Sequence, residues 1–146
     1  MREILFKAKR LDTGEWLEGY IHKCEGEFVI SNNDGLGEFI NADTLCQYTG
    51  LTDRNGRKIW ENDVLRYSYD YPGSPYLKAN RLTDDDIKYN VGAVFWHDWR
   101  GTWAVCGKGK SRMDNQDIYV YSRNPNRVEV IGNIFDHPEL LEGGAE

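Results

Sequence analysis

A mainly β fold, with N-terminal hairpins packed on a small β-barrel and little helix, is predicted from three features of the chain. Nine tyrosines, five tryptophans and five phenylalanines suit pleated, half-buried surfaces. Fifteen glycines, among them Asp34-Gly35 and Asn55-Gly56, mark tight reversals between short apolar runs. In the first half, no stretch keeps apolar residues at helical spacing for more than about two turns.

The elements follow in order. Ile4-Leu5-Phe6-Lys7-Ala8-Lys9 meets Asp12-Thr13-Gly14, and Trp16 to Ile21 returns as a second strand. Glu27 to Ile30, a turn at Asn32-Asn33-Asp34-Gly35 and Glu38 to Ile40 predict another hairpin, and Asn41 to Thr44 a short turn. Gln47 to Thr52 then runs into Asp53-Arg54-Asn55-Gly56, a hairpin reversal, and the chain comes back through Ile59-Trp60 to Asp63-Val64-Leu65-Arg66-Tyr67. Ser68 to Asn90 holds Pro72, Gly73, Pro75 and the acidic run Asp84-Asp85-Asp86, so it reads as a long surface loop with a helical turn after Thr83.

Strands resume with Val91 to Trp96, Thr102 to Cys106 across a turn at Arg100-Gly101, Ile118 to Tyr121, and Val128 to Ile134. A polar, initially basic loop fills 107–117, and Asp136-His137-Pro138-Glu139-Leu140-Leu141 predicts a capped terminal turn of helix. From Asp63 onward, five short strands with one long early loop match a small SH3-like barrel.

Gln47-Tyr48-Thr49-Gly50-Leu51-Thr52-Asp53-Arg54-Asn55-Gly56, followed by Trp60-Glu61-Asn62-Asp63-Val64, resembles the signature of the YopX family of phage and prophage proteins. Val91-Gly92-Ala93-Val94-Phe95-Trp96 is similar to that family's Gly-x-Val-x-aromatic strand, and Val130 to Leu141 to its closing motif. The likeness spans nearly the whole chain. It implies a single domain over 1–146: hairpins in 1–46, signature hairpin and SH3-type barrel in 47–141, and a tail in 142–146. It also implies a homo-oligomer, and it carries over no established biochemical activity. Gln47, Tyr48, Thr49, Gly50, Asp53, Asn55, Gly56, Asp63, Gly132 and Asn133 are the family-motif residues, read as structural. Asp and Asn side chains in such places bond nearby backbone N–H groups and hold turns. The family usually has Gly where this chain has Asn62; Asn tolerates left-handed geometry best among other residues, so a tight turn there survives.

The net charge of −6 argues against a general nucleic-acid coat, which needs a basic surface to displace counterions. Apolar runs are too short to span a bilayer, and the charged start Met1-Arg2-Glu3 is unlike a signal peptide, so a cytoplasmic protein of the bacterial host cell is expected. Cys24, Cys46 and Cys106 are widely spaced and form no Cys-x-x-Cys pair, which points to reduced thiols rather than a zinc site or a disulfide framework.

Complete chemical constellations are not found. Ala104 to Ser111 satisfies a loosened phosphate-loop pattern, but polar Arg112 to Asp117 does not open the helix such a loop needs. His22, His97 and His137 are isolated; His97-Asp98 is the one pairing that suggests acid–base work, and adjacent strand residues point to opposite faces. Asp70 and the acidic run lack calcium-loop spacing. No metal and no cofactor is expected. The candidate binding set is Trp96, Trp99, Arg100, Trp103, Lys108, Lys110 and Arg112. Aromatics interleaved with cations stack bases or receive peptides, and they also fill cores and subunit interfaces. The reading favoured is a non-enzymatic oligomeric protein-interaction module, with a host or phage protein as partner and no membrane. A nucleic-acid-binding factor using 96–112 is the alternative, and a hydrolase through His97 and Asp98 a remote third.

Overall fold

The computed structural model describes residues 3–32, 35–108 and 115–142. The chain forms two compact units, residues 1–50 and 51–146, and each is strand-rich around its own hydrophobic core.

In the first unit, β1 (Phe6–Lys9) and β2 (Trp16–Cys24) form the expected hairpin, with Ala8 opposite Leu17. β3 (Glu27–Ser31) returns along β2, and β4 (Gly37–Phe39) along β3. The reversal between β2 and β3 is only Glu25-Gly26, both at positive φ, the two-residue turn whose twist matches its strands. Asn33 and Asp34, expected in the next turn, lie outside the described residues. Asn41 starts a 3₁₀ turn over Ala42–Thr44, its side-chain oxygen accepting the Asp43 N–H at 3.1 Å. β5 (Cys46–Thr52) then pairs with β1 through Phe6 and Gln47. Phe6 and Ala8, Leu17 and Ile21, and Phe28 and Ile30 all turn to the core with Ile40 and Leu45. That is the two-residue period of strands with one buried face.

β5 crosses the boundary between the units at Gly50, and β6 (Lys58–Trp60) is its next neighbour. The second unit's own sheet comprises β7 (Asp63–Tyr67), β8 (Asn90–His97), β9 (Thr102–Gly107), β10 (Gln116–Asp117) and β11 (Val128–Asn133). Their order is β10-β9-β8-β7-β11, antiparallel throughout. Leu65, Val94, Val105, Ile118 and Val128 are essentially inaccessible at its centre, with Trp103, Tyr67 and Tyr121 around them.

Three expectations change here. Ile118–Tyr121 is no strand: Tyr119–Ser122 forms the short helix α2. Asp117 Oδ1 takes the Tyr119 N–H at 2.8 Å and starts the turn. Ile118 and Tyr121 are then both buried, which a three-residue separation allows on a helix and forbids on one face of a strand. The 68–90 stretch has the expected helical turn after Thr83, a 3₁₀ turn at Asp84–Asp86, but it is more ordered than a surface loop because helix α1 (Pro75–Ala79) forms as well. Leu77 and Ile87 are its buried anchors. Finally, both sheets are open. Among the described residues no pairing joins β10 to β11, because β10 is two residues long and the chain that was expected to extend the edge coils into α2. The SH3-like barrel is therefore not seen as a closed sheet.

Candidate functional site

The signature residues are spent on architecture. Asp53 is buried and uses both carboxylate oxygens: Oδ1 accepts the N–H of Asn55 and of Arg57, each at 2.9 Å, and Oδ2 accepts that of Val130 at 3.0 Å. It thereby ties the turn after β5 to β11, 77 residues away. Gly56 alone in that turn has positive φ, 76°. Asp63 is buried too, its Oδ2 accepting the Trp60 N–H at 2.8 Å. Asn62 between them sits at φ 70°. Its N–H reaches Val94 O and its carbonyl accepts from Ile134 N. Gln47, Tyr48, Thr49 and Gly50 lie on β5, with the Tyr48 N–H on Leu5 O and Thr49 buried. Gly132 stands opposite Val64 just after a bulge, and Asn133 Oδ1 accepts the Phe135 and Asp136 N–H groups at 3.0 and 2.9 Å.

The aromatic-basic set divides. Trp96 and Trp103 are direct cross-strand partners in β8 and β9, their rings edge to face with centroids 5.0 Å apart. Trp103 is buried and belongs to the core, whereas Trp96 stays exposed on top of it. Beyond them the hairpin turns through Asp98 to Gly101, where Trp99 is 90% exposed. His97 braces this turn, its carbonyl accepting from Gly101 N at 2.8 Å and its Nδ1 from Arg100 N at 3.2 Å. The Arg100 guanidinium reaches the side-chain oxygen of Asn115. Trp96, Trp99 and Arg100 are thus assembled at one hairpin tip. Lys108 is not among them: it follows the far end of β9, six residues and roughly 20 Å along the strand. Lys110 and Arg112, like Gly109 and Ser111 of the phosphate-loop pattern, lie outside the described residues.

A second concavity was not legible from the motifs. At the opposite end of β8, a cleft of about 430 Å³ is built from Tyr69, Asp70, Tyr71, Ser74, Tyr76 and Arg127. Its walls are the segment leaving β7, the first turn of α1 and the 3₁₀ turn over Pro125–Arg127. Ser68 N bonds Arg127 O at 3.0 Å, which joins the segment to that 3₁₀ turn. Buried Ser74 caps α1 by accepting the Leu77 N–H at 3.3 Å. The Arg127 guanidinium lies 4.0 Å over the ring of Tyr69 and gives one N–H to Val120 O at 3.4 Å. The sequence signal was scattered tyrosines with no period, plus an arginine 58 positions on from Tyr69; only folding brings them together.

Among the described residues there is no group of three or more His, Cys, Asp or Glu placed to hold a metal. Cys24 is exposed, Cys46 buried and Cys106 half-buried. His22 Nδ1 lies 3.4 Å from Ser31 Oγ, and His137 Nδ1 accepts the Asn133 N–H at 3.3 Å. No helix among the described residues is long and apolar enough to cross a membrane. Compared with known proteins, residues 2–142 match the family described as YopX protein. None of the curated proteins matches the chain.

Proposed function

This chain belongs to the YopX family, and on that premise we propose that it is a non-enzymatic interaction module that self-associates, a phage or prophage accessory protein working inside its host cell. One observation carries the reading: the almost fully exposed Trp99, presented beside Trp96 on a hairpin whose base is the rigid Trp96–Trp103 pair. An exposed tryptophan offers a large contact area and orders only two side-chain torsions on binding, which is how interface anchors work. The carboxylates of the signature support the non-enzymatic part, since Asp53 and Asp63 already serve backbone N–H groups. The SH3-like description of the second unit stays within this proposal, supported by its five antiparallel strands around one core.

Light scattering across a concentration series tests it. The wild type is expected to exceed monomer mass, and Trp99→Ala to shift towards monomer with stability changed by less than about 0.5 kcal/mol, as for other exposed substitutions. A wild type that stays monomeric at every concentration removes the self-association. Trp99 beside Arg100 on one exposed tip also favours a second reading, stacking on single-stranded nucleic acid. It requires salt-sensitive binding that weakens when Arg100, Lys108, Lys110 and Arg112 are neutralised. No retention of DNA or RNA at low salt ends that reading.

A further inference from the structure

We propose that the tyrosine cleft between the segment after β7, α1 and the Pro125–Arg127 turn is a peptide-binding site for an extended, proline-containing segment of a partner protein, with a basic side chain set against Asp70. The site is distinct from the Trp99 hairpin tip. Tyr67 pairs with Asn90 at the start of β8 while Trp99 follows its end, so the two surfaces are separated by the strand's length, roughly 23 Å.

The chemistry of the cleft selects the occupant. Tyr69 and Tyr76 are 63% and 58% exposed, so two flat apolar rings, each ending in a hydroxyl, face outward beside Tyr71. Pyrrolidine rings pack on such faces. An extended proline segment also presents main-chain carbonyls that no internal hydrogen bond uses, and phenol hydroxyls donate to these. Such a segment is held extended before it binds, which reduces the ordering cost of docking.

Arg127 supplies the second determinant. Its Nε is buried without a hydrogen-bond partner while its guanidinium is held in place by Tyr69 and Val120 O. Arg127 also lines the cleft, where its terminal guanidinium N–H groups, rather than this covered Nε, are the donors for a ligand's carbonyl oxygens. Asp70 is the counterpart. Its backbone N–H goes to Ser68 Oγ at 3.3 Å, and among the described residues no cation lies within salt-bridge distance of its carboxylate. On the cleft's rim, between Tyr71 and Ser74, Gly73 N is bonded to Asp84 Oδ1 at 3.0 Å, which brings the acidic run alongside. A ligand for this site offers carbonyl oxygens at Arg127 and a positive group at Asp70 and Asp84. A proline-containing peptide with a Lys or Arg meets both demands, and the chain's net charge of −6 favours its approach. A nucleic-acid strand meets the first and is repelled at the second.

The test is selection from a displayed library of random dodecapeptides on the full chain, followed by fluorescence anisotropy of the selected peptides. Enrichment of sequences with two or more prolines and a Lys or Arg is expected. Tyr76→Ala and Tyr69→Ala should each weaken the selected peptide at least tenfold. Asp70→Asn should erase the preference for the basic residue over an alanine replacement, and Trp99→Ala should leave affinity within twofold. Both tyrosine variants change exposed side chains, and circular dichroism confirms their fold. Absence of proline enrichment overturns the proposal. So does a proline-rich binder that the tyrosine variants leave within twofold, or occupation of the same cleft by oligonucleotides or oligosaccharides instead. Failure of self-association through Trp99 leaves these outcomes unchanged, so the two readings fall separately.

Discussion

Asp53 is the residue on which the signature turns, because one short side chain satisfies backbone donors from its own hairpin and from β11. Asp53→Ala leaves the buried Val130 N–H without its acceptor, while the Asn55 and Arg57 N–H groups, on exposed residues, turn to water. At about 1–3 kcal/mol for a buried polar group left unmade, a loss of about 1–3 kcal/mol is expected, read from the urea midpoint. Asp53→Asn keeps one carbonyl oxygen and should lose less. A loss below about 1 kcal/mol for the alanine variant would show that water replaces the carboxylate at little cost. The identity of these residues was legible in the sequence, since Asp and Asn before Gly imply a held turn. The remote donor, Val130, was not. Nothing in local propensity states which strand will lie beside a turn 77 residues earlier.

At the level of elements, β8 and β9 show how close approach selects a residue. A Cβ on Gly92 would meet the Cys106 carbonyl oxygen at 2.1 Å and its carbon at 2.7 Å. Backbone cannot yield as a flexible side chain does, so the two strands must move apart around it. Gly92→Ala is therefore expected to destabilise by about 1–3 kcal/mol or more, the range of overpacked cores. Unchanged thermal unfolding would mean that the strands yield without loss. The same level holds the clearest departure from local propensity. Ile118-Tyr119-Val120-Tyr121 has strand composition, but propensity is a weak prior and burial overrides it. Seating Ile118 and Tyr121 on one side requires helical spacing, and Asp117 caps the turn that provides it. The Glu25-Gly26 reversal was missed for a related reason. Glu carries little turn signal of its own, and its φ of 53° is set by the register of Cys24 against Glu27.

For the whole molecule, stability couples to pH through the buried tyrosines of the second unit. Burial first, then the nearby Tyr121 and Cys106, pushes the Tyr67 phenol far above its ordinary value of 10.0, and burial raises Tyr121 as well. The sign follows from proton binding. An unfolded chain releases these protons near pH 10 while the folded one keeps them, so their contribution is complete below that pH and is lost as pH rises above it. The urea midpoint should therefore be insensitive to these groups at neutral pH and fall from about pH 10 upward. Tyr67→Phe, which preserves the ring packed 4.8 Å from Tyr121, should make that fall shallower. An unchanged alkaline slope would mean that the phenol gains water access.

The Trp99 tip and the tyrosine cleft divide the binding question between what could and could not be read in advance. Trp96, Trp99 and Arg100 are neighbours in the chain, so their meeting at one hairpin tip was local information. Lys108 is nearby in sequence too, yet an extended strand carries it away. Tyr69, Tyr76 and Arg127 come from three separate segments. By itself the sequence determined the family, the β-rich class, the strand-forming runs and the turns that Gly and Asn require, because each rests on interactions within a few residues. Tertiary structure alone decided that Ile118 to Ser122 coils, that both sheets stay open, and that Arg127 and Asp70 line one cleft. Those outcomes depend on which distant surfaces are buried together, a quantity that local propensity does not contain.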